Sequence, residues 1–184
     1  MQDQGGFTLI ETLIVLFILS IIASVVLPEL SSSNPARLDS ASNEVATALR
    51  FARDESIRTG QVHGVHLDTV TTRLYAFKAG TGANPLTGLL VDYHPHSKQP
   101  YDFLLSDNSS TKGVGFSSVI PLFHYYTLAS SVSYVLFDEE GTPFWRDSVS
   151  GNSFILESAN IDMSYGDLIQ QVVLEPGFGR VLTP

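Results

Sequence analysis

The chain has 184 residues, carries 19 Asp and Glu against 10 Lys and Arg for a formal net charge of −9, and contains no Cys. Disulfide staples and thiolate chemistry are thereby excluded, and an acidic surface repels phosphate backbones, so nucleic acid is not expected as a partner. The length suits an apolar anchor plus one domain of roughly 120 to 130 residues, enough to bury a real core.

The first element is the most distinctive. From Phe7 to Leu27 every residue is apolar except Thr8, Thr12, Ser20, Ser24 and one carboxylate, Glu11. At ~1.5 Å per residue a helix of this run reaches roughly 31 Å, about the hydrocarbon thickness of a bilayer. A carboxylate near the start of a membrane helix costs on the order of a few kcal/mol and calls for a partner. The nearest Lys or Arg in the sequence is Arg37, far from it. An α-amino group would serve if the chain were cut between Gly6 and Phe7, because the new amine would sit about one helical turn from Glu11.

Other readings of this stretch fit less well. A secretory signal peptide needs a basic start and a shorter apolar core, and Ala23-Ser24-Val25 makes a poor cleavage site. A generic anchor has no use for Glu11. A buried core helix would be striped, whereas this one is apolar all round.

Gly6-Phe7-Thr8-Leu9-Ile10-Glu11 resembles the processing site of type IV prepilins and type II secretion pseudopilins. The resemblance implies that a prepilin peptidase cuts after Gly6 and methylates Phe7, and that Glu11 guides subunit docking into a filament. Pro28 falls where many such proteins carry a helix-kinking proline. The leader, residues 1–6, lacks the Lys or Arg usual in that family, so orientation by the positive-inside rule has little support.

Beyond Pro28 the chain predicts an interruption at Asn34-Pro35, with Asn34 or Ser33 as N-cap and Pro35 in the first turn. A second helix then runs to about Thr59. In it Leu38, Ala41, Val45, Ala48 or Leu49, Ala52 and Ser56 or Ile57 recur at three- and four-residue steps, an amphipathic stripe. Gly60 is a ready C-cap. Arg37, Arg50, Arg53 and Arg58 read as a solvated face with intrahelical ion pairs; a surface meeting neighbouring subunits is the alternative.

From Val62 the texture becomes strands. Val62–Leu67 and Arg73–Phe77 flank a turn at Asp68–Thr72 and predict a hairpin. Residues 79–88, with three Gly and one Pro, predict a loop. Strands are expected at Leu89–Tyr93, Tyr101–Leu105, Val114–Val119, Ser133–Phe137, Phe144-Trp145, Phe154–Glu157 and Gln170–Glu175. Asp138–Pro143 reads as a turn, and Ser106–Gly113 as a polar, mobile segment. The segment Ala52–Val62 and the tail Val172–Val181, with its Gly179-Arg180 pair, are similar to one branch of pilin-like proteins, the GspH/FimT minor pseudopilins and minor pilins.

Candidate chemical sites are few. His63 and His66 would point to opposite faces of a strand, a poor start for shared metal coordination. Asp92, His94 and His96 could share one side of an extended segment, but histidines in a Pro-containing turn are usually just solvated. Asp138-Glu139-Glu140-Gly141 and Asp107-Asn108-Ser109 lack EF-hand spacing. No metal or cofactor is therefore expected. No nucleophile elbow, metalloprotease helix or phosphate loop is present, so nothing points to an enzyme.

The resemblance thus implies an α+β, type IV pilin-like fold: leader 1–6, transmembrane helix 7–28, amphipathic helix 29–60 and a β-rich periplasmic head 61–184. Its implied partners are prepilin peptidase, other pilins or pseudopilins in a filament, an inner-membrane assembly platform and membrane lipid. Its implied location is the inner membrane, spanned once, and then a periplasmic or surface filament.

Overall fold

The computed structural model describes residues 9–31, 33–94, 97–117, 122–126 and 132–183, with side chains from 23 to 34 excepted. The chain divides into two units, residues 1–36 and 37–184, the second far richer in internal packing.

In the first unit, helix α1 runs Leu9–Ser31. Pro28 lies inside α1 rather than at its end. Helix α2 runs Ser33–Thr59, so of the two N-cap candidates the helix begins at Ser33, with Asn34 already helical. Pro35 sits in the first turn of α2, where its missing N–H costs no hydrogen bond. The two helices are separate elements, and residue 32 between them lies outside the described residues. At the far end Gly60 takes φ +62° and its N–H donates to the Ser56 carbonyl at 2.9 Å. That is the left-handed cap the sequence called for.

The stripe on α2 is buried along its length: Leu38, Ala41, Val45, Ala48, Leu49, Ala52 and Ser56. Small alanines let the helix approach the sheet closely. Each buried Leu or Val contributes ~1.5–3 kcal/mol of transfer free energy.

The head is a curled antiparallel sheet of eleven strands among the described residues, ordered β11-β10-β9-β8-β7-β1-β2-β3. The hairpin β1 (His63–Asp68) and β2 (Arg73–Lys78) pairs His63 with Lys78 and Asp68 with Arg73. Its turn is closed by Asp68, whose carboxylate accepts the Val70 and Thr71 amides at 2.9 and 3.2 Å. The outer edge of β2 is shared by β3 (Leu90–Val91) and β4 (Asp102–Leu104), both shorter than expected. On its other side β1 pairs with β7 (Tyr134–Phe137), which pairs with β8 (Pro143–Arg146).

The largest departure from expectation is β9 (Ser153–Tyr165), 13 residues where Phe154–Glu157 alone was expected. It pairs with β8, β10 (Leu168–Leu174), β5 (Gly115–Phe116) and β6 (Phe123–Tyr125). Neither β6 nor the second half of β9 was foreseen. The last strand, β11 (Val181–Leu182), closes onto β10. Within Ser106–Gly113, expected to be polar and mobile, Thr111 is completely buried. Its hydroxyl donates to the Leu105 carbonyl at 2.7 Å.

Strand alternation gives the sheet two apolar faces. Val65, Leu67, Leu74, Ala76, Val135, Phe137, Leu156 and Ile161 meet the α2 stripe in the main core. Phe77, Tyr134, Leu136 and Phe144 form a second cluster on the opposite face, partly covered by Ala79, Leu86 and Leu89. The segment 79–89 is thus a lid over that face. Gly64 sits where the second cluster is tightest: a Cβ there would lie 2.5 Å from the Val135 carbonyl oxygen and 2.8 Å from Leu136 Cδ2.

Candidate functional site

The N-terminal motif is read on α1. Gly6 and Phe7 lie outside the described residues; Glu11 falls in the first turn of α1. An acidic residue suits that place, since the free N–H groups of a helix start favour negative charge. Around and beyond Glu11 the apolar side chains from Leu9 to Ile22 are 46% to 84% exposed. They point in every direction of the helix, so no one face stands out as the buried one. Ser20 turns its hydroxyl back to the Phe17 carbonyl at 2.7 Å, which hides its polarity from the surroundings. Among the described residues no helix is long and apolar enough to cross a membrane; the described side chains of α1 stop at Ile22.

The arginines of α2 divide in a way the sequence did not separate. Arg58 forms the expected intrahelical pair with Glu55, two bonds from one guanidinium. Arg37 and Arg50 instead tie the helix to the head. Arg37 donates to the Lys112 carbonyl at 3.1 Å and lies over the Tyr165 ring. Arg50 donates to the Val181 carbonyl at 3.2 Å, fastening the last strand.

One arrangement invites an enzymatic reading. His63 Nδ1 lies 2.8 Å from Asp92 Oδ2, and its Nε2 lies 3.1 Å from Thr59 Oγ1. Hydroxyl, imidazole and carboxylate in a row is the order of a hydrolytic triad. The hydrogen bonds around it favour a structural role. Thr59 Oγ1 already donates to the Glu55 carbonyl at 2.7 Å, so its proton is not turned toward the imidazole, and His63 itself is 3% exposed. The row is a tie, linking the end of α2 and the start of β1 to the β3 edge.

His66 points elsewhere, stacked on Tyr75 at 4.9 Å with its Nε2 3.1 Å from Ser133 Oγ. Burial holds its imidazole below the usual range. Asp92 is engaged by His63, His94 lies against Tyr101 at 4.9 Å, and His96 is outside the described residues. Among the described residues no three His, Asp or Glu gather where they could hold a metal. Asp138, considered for calcium, spends its Oδ1 on the Glu140 and Thr142 amides of its own turn.

Residues 1–27 match the family described as the prokaryotic N-terminal methylation motif. No curated protein matches the chain. The fold is similar to that of the minor pseudopilin EpsH from the type 2 secretion system of Vibrio cholerae, at TM-score 0.51 and 12% identity, over 80% of this chain and 96% of that one. The type IV minor pilin FimU of Pseudomonas aeruginosa aligns at TM-score 0.44 and 14% identity, over 80% of this chain and 87% of that one. The chain thus carries the N-terminal methylation motif over residues 1–27, and its α+β fold is that of EpsH.

Proposed function

We propose that this chain is a minor pseudopilin or minor pilin, a structural and non-enzymatic subunit processed at its N-terminus and built into a filament through α1. The observation that carries this reading is a helix apolar on every side and exposed on every side. Water does not tolerate such a surface, so lipid must cover it first and like helices afterwards. The methylation motif over residues 1–27 supports the order of events.

In that order, residues 7–28 anchor the chain in the inner membrane, spanning it once, with the head in the periplasm. Prepilin peptidase cuts after Gly6 and methylates Phe7, creating a new amine about one helical turn from Glu11. An assembly platform then draws the helix from lipid into a bundle, where Glu11 meets the amine of a neighbouring pilin-like subunit. Once buried, the pair is costly to break from one side. Pro28 is the position at which this helix would bend.

Of the two filament types, we assign the secretion type, a pseudopilus moving protein. From Asp147 to Pro184 Arg180 is the only basic residue, so the tail lacks the cationic cluster that DNA capture in a type IV pilus would use. Mass spectrometry of the mature protein tests the processing: a first residue of methylated Phe7 is expected, and a chain still beginning at Met1 would overturn the reading. Salt-titrated DNA retention tests the filament type, with steep salt-dependent binding favouring uptake.

A further inference from the structure

A groove of about 420 Å³ opens on the head, within the size range of clefts that seat compact ligands. Val62, Phe144 and Ile155 give it an apolar floor, Ile155 being 58% exposed there. The Arg146 guanidinium lies over the Phe144 ring, so three lining carboxylates (Asp138, Glu139 and Glu140) face one lining cation. Glu139 and Glu140 stand on its rim in the turn between β7 and β8. Neither has a cationic partner among the described residues.

The complementary feature lies beside it. The loop from Glu175 to Arg180 is closed by the Glu175 N–H donating to the Arg180 carbonyl at 2.8 Å, with the Phe178 N–H on the Pro176 carbonyl at 3.1 Å. Gly179 presses on the β7–β8 turn: a Cβ there would lie 2.5 Å from the Gly141 carbonyl oxygen. The loop is thus held, yet Phe178 at its tip is 84% exposed. Arg180, also exposed, has no carboxylate partner among the described residues.

We propose that this groove receives Phe178 and Arg180 of a second copy of the same chain. An aromatic ring with a neighbouring guanidinium matches an apolar floor with two carboxylates in both respects, and a well-seated aromatic with an Arg is the usual composition of an interface anchor. Because knob and groove adjoin one turn, two copies meeting there give and receive at once, a self-complementary contact about a two-fold axis. The net charge of −9 opposes the encounter, but at physiological salt that repulsion is screened beyond ~8 Å while the contacting pairs are not. The contact does not depend on cleavage after Gly6.

The absence of Cys makes the test direct. Full-length Phe178→Cys and Ile155→Cys chains, differently tagged, are co-expressed in membranes and oxidised. The mixed pair is expected to give a disulfide dimer several-fold above either variant alone. Adding Glu139→Arg and Glu140→Arg to the Ile155→Cys chain should abolish the excess, and adding Arg180→Glu to its partner should restore it. No excess in the mixture, an excess indifferent to charge reversal, or capture of Phe178→Cys on a different protein would each overturn the proposal.

Discussion

The two helices follow one another in the chain and have opposite relations to their surroundings. Every apolar residue described in α1 is exposed, whereas α2 hides a stripe of small and branched residues against a sheet and presents charge elsewhere. The difference separates two kinds of apolar sequence. A stripe is satisfied within its own fold; an all-round surface can be satisfied only by something outside it. Stability of the head should therefore depend on α2 alone, and assembly on α1.

Substitutions can press on that contrast. The largest effect is expected from Glu11→Ala: on the proposed reading it removes one member of a buried pair, a loss on the order of 3–5 kcal/mol, so incorporation into filaments, read by fractionation, should fall below detection while the head still folds. Normal incorporation would break the account of α1. Next, Leu49→Ala should cost the head ~2–5 kcal/mol in denaturant unfolding, while Leu16→Ala should stay within about 0.5 kcal/mol. Equal losses would erase the distinction between the helices. Gly64→Val tests the second apolar face, where overpacking against the Val135 carbonyl should cost ~1–3 kcal/mol.

The smallest effect concerns acid. Hydrogen bonds from Arg73 hold the Asp102 carboxyl below its ordinary range, and those from Thr71 and its turn amides do the same for Asp68. Folded values below unfolded ones mean that this stabilisation is complete above pH ~4 and fades as pH falls through the lower folded values. Glu44, raised by burial, has the opposite slope as pH rises past its ordinary range. Arg73→Gln should thus be less stable at pH 7 by under about 1 kcal/mol, since the pair is partly exposed. Thermal melts should show the gap closing in acid.

How much of this was legible before the structure varied with the kind of signal. The α2 stripe was, because Leu38, Ala41, Val45, Ala52 and Ser56 repeat at helical spacing and Gly60 marks the end. The β1–β2 hairpin was, because Asp68–Thr72 carries its own turn chemistry. The second half of β9 was not: Ser158, Asn160, Asp162 and Ser164 are poor strand formers, and they masked the alternation of Ala159, Ile161, Met163 and Tyr165. The bond between His63 and Asp92 joins residues 29 apart, a distance no local pattern spans. At the N-terminus the motif itself was plain, and residues 1–27 match it as a family.

The 13-residue strand β9 has a further consequence. It is bonded along both edges, so Ala159 touches Leu174 on one side and Phe123 on the other, and its inward side chains are sealed in the core. Opening it means undoing neighbours contributed by four separate stretches of sequence at the same moment. In deuterated solvent its middle amides should be the last in the head to exchange, surrendering their protons only when the whole domain comes apart.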